Sequence, residues 1–212
     1  YGVEDYLLKP INQAELNKAL TKICNEKKHE QEQQYAKLKI QQKLTQSRSI
    51  MHRELVYKIL DGNLDMQKAN HAFSLSFQDA LFQSIAIKLD RKDITWSDPV
   101  QHNLVADKIE AIVAAAVKPH VIEYIASSDD SLRMLFLLNF KGGKELPLNK
   151  AYGEILHIVQ DYVYAYNAYQ VTIGVGIIVD RFDQLRDSVL ASIKALQYRI
   201  RLGTGNKIYY KE

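Results

Sequence analysis

Apolar positions along the chain fall into three regimes. The opening run Tyr6-Leu7-Leu8 reads as a short strand stopped by Lys9-Pro10, because proline has no N–H to add to a ladder. Asn12 stands as the N-cap of a following helix, with Glu15 at capping-box spacing and Leu16, Leu20 and Ile23 at helical spacing. A strand and one helix cannot enclose a core, so residues 1–25 read as the C-terminal end of a domain whose beginning is missing. Residues 26–63 form the second regime. No Gly or Pro occurs from 26 to 60, and the run is rich in Gln, Lys and Glu, which favour helix. Residues 26–34 carry no apolar side chain; Tyr35, Leu38, Ile40, Leu44, Ile50, Met51, Leu55, Val56, Ile59 and Leu60 follow. With Tyr35 and Leu38 as heptad core positions, later core positions fall on Gln42, Thr45, Ser49 and His52, a poor coiled-coil seam. A long connecting helix is therefore expected, with pairing between two chains only weakly encoded. Gly62 in Asp61-Gly62-Asn63 ends it.

The third regime, residues 64–212, alternates strand and helix signals. Strands are expected at 84–89, 121–126, 132–140, 171–179 and 207–210, and helices at 105–117, 152–169 and 182–202. Ser127-Ser128-Asp129-Asp130-Ser131 reads as a hairpin turn by composition, and Lys118-Pro119 and Gly203-Thr204-Gly205-Asn206 as helix stops. On the helix expected at 152–169, Tyr162, Tyr166 and Tyr169 share one face and read as core or interface. The order β-α-β-β-α-β-α-β begins with the six-element ferredoxin-like pattern. The expected fold is α/β (α+β), a mixed sheet with the helices on one face through right-handed crossovers.

Composition narrows the classes. Of 212 residues, 25% are charged and 47% apolar, which excludes wholesale disorder and fibrous repeats. The longest unbroken apolar run, residues 111–117, has seven residues, against roughly 20 for a membrane span. The opening residues do not make a signal peptide. The lone Cys24 allows no intrachain disulfide, so a reducing cytoplasmic setting is expected. A net charge of +3 is too small to announce nucleic-acid binding by this chain itself. His29, His52, His71, His102, His120 and His157 show no metal-ligand spacing, and no catalytic residue or metal site is expected. Gly142-Gly143 lacks the Lys-Ser/Thr ending of a phosphate loop.

The run Gly2-Val3-Glu4-Asp5-Tyr6-Leu7-Leu8-Lys9-Pro10-Ile11 resembles the end of a response-regulator receiver domain. That resemblance implies that Lys9 and Pro10 are the phosphoryl-sensing pair, that the phospho-accepting aspartate and its Mg²⁺ lie upstream, and that a sensor histidine kinase is a partner. Val171-Thr172-Ile173-Gly174-Val175-Gly176, residues 191–199 and Gly205-Asn206-Lys207-Ile208-Tyr209-Tyr210 resemble a degenerate GGDEF domain. In particular they resemble the module found between receiver and AraC-type helix-turn-helix domains. That resemblance implies DNA binding through a domain outside this chain, and a homodimer.

An active cyclase needs paired hairpin glycines for close backbone approach and acidic groups for divalent cations. Here Ser127 and Ser128 replace the glycines, Asp129 and Asp130 follow, and Asp90 takes the place of the metal-binding aspartate, with Arg91 and Lys92 beside it. His120 and Glu123 carry the wrong side chains for the product-inhibition site. The chain is therefore expected not to be an enzyme and to need no cofactor of its own. The leading expectation is a central regulatory and dimerisation fragment of a transcription-controlling response regulator. The alternative is a GGDEF-type domain that binds guanine nucleotide or cyclic dinucleotide, or is a weak diguanylate cyclase.

Overall fold

The computed structural model describes residues 13–91, 99–129, 133–142, 147–164 and 169–211, in two compact units, Tyr1–Arg48 and Ser49–Glu212. Lys9, Pro10 and Asp130 lie outside the described residues. The elements are α1 (Gln13–Asp61), α2 (Met66–Phe73), β1 (Leu81–Arg91), α3 (Pro99–Val117), β2 (Glu123–Ser128), β3 (Arg133–Phe140), α4 (Pro147–Tyr164), β4 (Tyr169–Val179), α5 (Leu185–Gln197), α6 (Arg199–Leu202) and β5 (Lys207–Tyr209).

The helix after Asn12 and the connecting helix are one element, α1, because nothing between them breaks the backbone pattern. In the first unit its Leu16, Leu20, Tyr35, Ile40 and Leu44 are exposed. The second unit takes in its last turns: Leu55, Val56 and Ile59 are buried there, and each such side chain contributes about 1.5–3 kcal/mol. Gly62, at φ +78°, turns the chain out of the helix and donates to the Ile59 carbonyl. The short helix α2 was not expected from the sequence. Asp65 caps it by accepting from the Lys68 N–H at 2.8 Å, and Ala69 and Phe73 anchor it.

The sheet runs β2-β3-β1-β4-β5. β3 lies antiparallel between β2 and β1, β4 is antiparallel to β1, and β5 is parallel to β4. The inner strands β3, β1 and β4 are buried on both faces, which is why they read as continuous apolar runs. Ile85, Ile87, Leu89, Phe136, Leu138, Val171 and Ile173 pack with Val105, Ile109 and Val113 of α3 and Tyr152, Ile155 and Val159 of α4. Phe82, Ala86, Ile125, Leu135 and Leu137 pack in a second core with the end of α1, α2, and Leu185 and Val189 of α5. The one-face expectation thus holds for α3 and α4, and is corrected for α5, which covers the opposite face. Gly174 and Gly176 make that possible: a Cβ at either position would collide with the Ser192 or Ser188 carbonyl of α5. Ser188 Oγ accepts from the Ser84 N–H at 2.8 Å, where the β1–β4 register slips between Gln83 and Ile85.

Two further expectations are corrected. Tyr169 is not on α4, which ends at Tyr164; it opens β4 and pairs with Arg91, so the tyrosine stripe is not one helix face. Ser127 and Ser128 are strand residues paired with Leu135 and Met134, so the hairpin tip begins later than expected. Among the described residues, no helix is long and apolar enough to cross a membrane.

Candidate functional site

The ends of β1 and β2 and the start of β3 meet at one end of the sheet, and α6 reaches the same place. Lys88 on β1 pairs in register with Arg133 on β3 and with Thr172 on β4. Asp90 follows two residues later on the same face of β1, because side chains alternate along a strand. Arg199 donates to Asp90 through Nε at 2.9 Å and Nη2 at 3.4 Å, and through Nη1 to the Leu196 carbonyl at 3.0 Å. Both side chains of that pair are about a quarter exposed, 24% for Arg199 and 26% for Asp90, so the pair is only partly screened by water.

At the hairpin, Asp129 accepts from Arg133 through Nε at 2.9 Å and Nη2 at 2.8 Å, and its own N–H donates to the Arg133 carbonyl at 3.0 Å. Asp129 is thereby the closing residue of the β2–β3 ladder. Lys88 sits among these groups. Burial holds its ammonium below the ordinary lysine value; Asp90 and Asp129 oppose that shift, and Arg199 and Arg133 add to it. Three basic side chains therefore surround two carboxylates, a local excess of one positive charge.

On the other side of the hairpin, α3 contributes a second set of groups. Asp107 and Glu110, with Ala106, face Ala126, Ser127, Ser128, Met134 and Phe136 across a cleft of about 20 Å³, room for about one water molecule.

The fit of this site to a divalent cation follows from its partners. Asp90 is held by Arg199 and Asp129 by Arg133, so a cation would have to displace both guanidinium groups. Among the described residues no three His, Cys, Asp or Glu side chains converge. As placed, these carboxylates do not fit a pair of metal ions. His120 is exposed, and Glu123 accepts from the N–H groups of Ser76 and Tyr124, each at 3.1 Å, so the two make no joint site.

The strand order and the placement of α3 and α4 against α5 decide the architecture. The domain is a mixed α/β fold, a five-stranded sheet with helices on both faces. Solved structures similar to it include the active GGEEF domain of a diguanylate cyclase from Vibrio cholerae, 12% identical with a TM-score of 0.46, over 63% of this chain and 85% of that one. An EAL/GGDEF domain protein from M. capsulatus is 13% identical with a TM-score of 0.44, over 67% of this chain and 93% of that one. The diguanylate cyclase SiaD from Pseudomonas aeruginosa, in complex with its activator SiaC, is 14% identical with a TM-score of 0.35, over 92% of this chain and 78% of that one. No family model and no curated protein matches the chain. The expectation that the chain is not an enzyme is corrected to this extent: two of these three similar structures are of diguanylate cyclases, one of them an active domain.

The sequence reading singled out Asp90, Ser127, Ser128 and Asp129, and the structure brings them to one end of the sheet. It missed Lys88, Arg133 and Arg199: Arg199 reaches Asp90 from 109 positions away, whereas Arg133 meets Asp129 four residues before it, across the hairpin. It also missed Asp107 and Glu110. The usable signal there was two acids at i, i+3 on one helix.

Proposed function

We propose that this chain is a GGDEF-type domain that binds a guanine nucleotide or cyclic dinucleotide at the hairpin end of its sheet. The observation that carries this reading is that two complementary sets of groups flank the hairpin end of the sheet, one on the face covered by α5 and one on the face covered by α3. Lys88, Arg133 and Arg199 supply the positive charge and forked donors that phosphate oxygens take. Asp107 and Glu110 supply carboxylate acceptors, which suit the N–H groups of a guanine edge. Phosphate recognition by arginine replaces recognition through metal in this reading, because the carboxylates already have guanidinium partners.

Calorimetric titration of the chain with GTP and with cyclic dinucleotide, each with and without Mg²⁺, tests it. Binding heat that survives chelation of Mg²⁺ is the expected result, and Arg199→Met is expected to weaken it. The paired change Ser127→Gly with Ser128→Gly widens the cleft and is expected to tighten binding. No heat at millimolar ligand in the parent chain and in the glycine variant overturns the reading. The same mixtures, assayed for cyclic dinucleotide product, tell binding from turnover.

A second reading is favoured by α1, a single helix whose last turns are part of the core of the second unit. In it, the chain is the regulatory part of a response regulator. A sensor histidine kinase phosphorylates the receiver, α1 carries the change, two chains pair, and a DNA-binding domain responds. A full-length protein whose oligomeric state and DNA affinity are the same before and after phosphorylation would rule that reading out.

A further inference from the structure

We propose that His52 and Arg53, consecutive residues of α1, are positioning residues for the hairpin: they hold the outer edge of β2 by its two outward-facing carbonyls. β2 is an edge strand. Its register with β3, together with the Asp129 N–H bond to the Arg133 carbonyl, points the backbone groups of residues 125, 127 and 129 toward β3. Backbone direction alternates along an antiparallel strand, so those of residues 126 and 128 point to the open edge. These are the two carbonyls that α1 takes. His52 Nδ1 lies 2.8 Å from the Ala126 carbonyl oxygen. A carbonyl only accepts, so Nδ1 carries the proton. Arg53 Nη2 donates to the Ser128 carbonyl at 3.1 Å.

The two bonds differ in setting. His52 is 6% exposed, so its bond is shielded from water, while Arg53 works at the surface. Both are tied to the core through the next turns of the same helix, where Leu55, Val56 and Ile59 are buried. Moving α1 by one residue means a slide of about 1.5 Å and a turn of roughly 100°, which breaks both bonds together. The residue after Ser128 is Asp129, which closes the hairpin onto Arg133. The seating of α1 on the core therefore sets where the hairpin stands. It also accounts for a histidine at a helical core position: an apolar residue there would leave an edge carbonyl buried without its donor. Capping these carbonyls further protects the edge strand from pairing with another chain.

That the clamp tunes ligand binding rests on the nucleotide reading; the clamp itself does not. Residue-resolved amide exchange on the full chain, with GTP affinity measured beside it, tests both. Arg53→Met and His52→Leu are expected to speed exchange at the amides of Ser127 and Asp129 by about tenfold, with the amides of residues 85–87 unchanged. Arg53→Lys and His52→Gln, which keep a donor, are expected to restore much of the protection. GTP affinity is expected to fall with the same ranking while the unfolding midpoint of Arg53→Met stays near the parent value. Arg53 is exposed, so that variant folds, and unchanged exchange at 127 and 129 in it overturns the clamp. A parent chain that binds no GTP, with a hairpin that Arg53→Met still loosens, overturns the nucleotide reading and leaves the clamp standing.

Discussion

Where α5 crosses β1 and β4, one end of the seam is backbone against backbone and the other is charge against charge. At the first end, Gly174 and Gly176 let the α5 carbonyls of Ser192 and Ser188 rest on the sheet, and Ser84 and Ser192 share a hydroxyl contact of 3.1 Å. Nothing larger than hydrogen fits there. At the second end, Arg199, on α6 just past α5, is ion-paired to Asp90 of β1 with Lys88 beside them, the pair partly hydrated. Close backbone contact tolerates no change, so the first end sets the spacing of the layers. Ion pairs between partly hydrated side chains exchange partners cheaply, so the second end is the adaptable one. The two ends lie on the same strands, so the rigid one keeps the adaptable one in position.

The sharpest way to break this comparison is at the rigid end. Gly176→Val meets the carbonyls of Ser188 and Ser84 and is expected to destabilise the domain by about 3 kcal/mol or more. Urea unfolding reads this directly, and a loss below about 1 kcal/mol would mean that α5 is not pressed against the sheet. At the adaptable end, Arg199→Met leaves the partly buried Asp90 without its guanidinium and is expected to cost about 1–2 kcal/mol. Adding Asp90→Asn is expected to recover part of that loss. A double-mutant cycle with no coupling between 90 and 199 would show the pair to be incidental.

The smallest effect is one of pH. Burial holds the Lys88 pKa below 10.5, so between its folded value and 10.5 the unfolded chain binds more protons than the folded one. Stability contributed at this site therefore rises with pH through that window. Lys88→Met is expected to lack the rise, and parallel unfolding curves for the two proteins from neutral to alkaline pH would contradict the assignment.

Much of this architecture could be read along the chain. The absence of Gly and Pro from 26 to 60 announced a long connecting helix, and α1 runs unbroken from Gln13 to Asp61. The alternation of strand and helix signals announced the order of β1 to β5. The eight residues of α2 escaped because so short a segment shows barely two turns of periodicity, and only its Asp65 cap marked it. The tyrosine stripe failed because helical spacing was extended past Tyr164, where pairing with β1 claims Tyr169 for a strand.

The candidate site divides along the same line. Asp90, Ser127, Ser128 and Asp129 stand out in a linear reading because a hairpin and a strand end are local features. The sequence by itself determined where helices and strands form and which residue types stand at their ends, since propensity, capping and turn chemistry act over a few residues. Only the tertiary structure decided which face α5 covers, because strands buried on both sides carry no one-sided pattern. It alone brought Arg199 to Asp90, and His52 and Arg53 to the outer edge of β2. Those pairings are between groups 74 to 109 positions apart, and chain separation carries no mark of spatial contact until the sheet and its two cores are assembled.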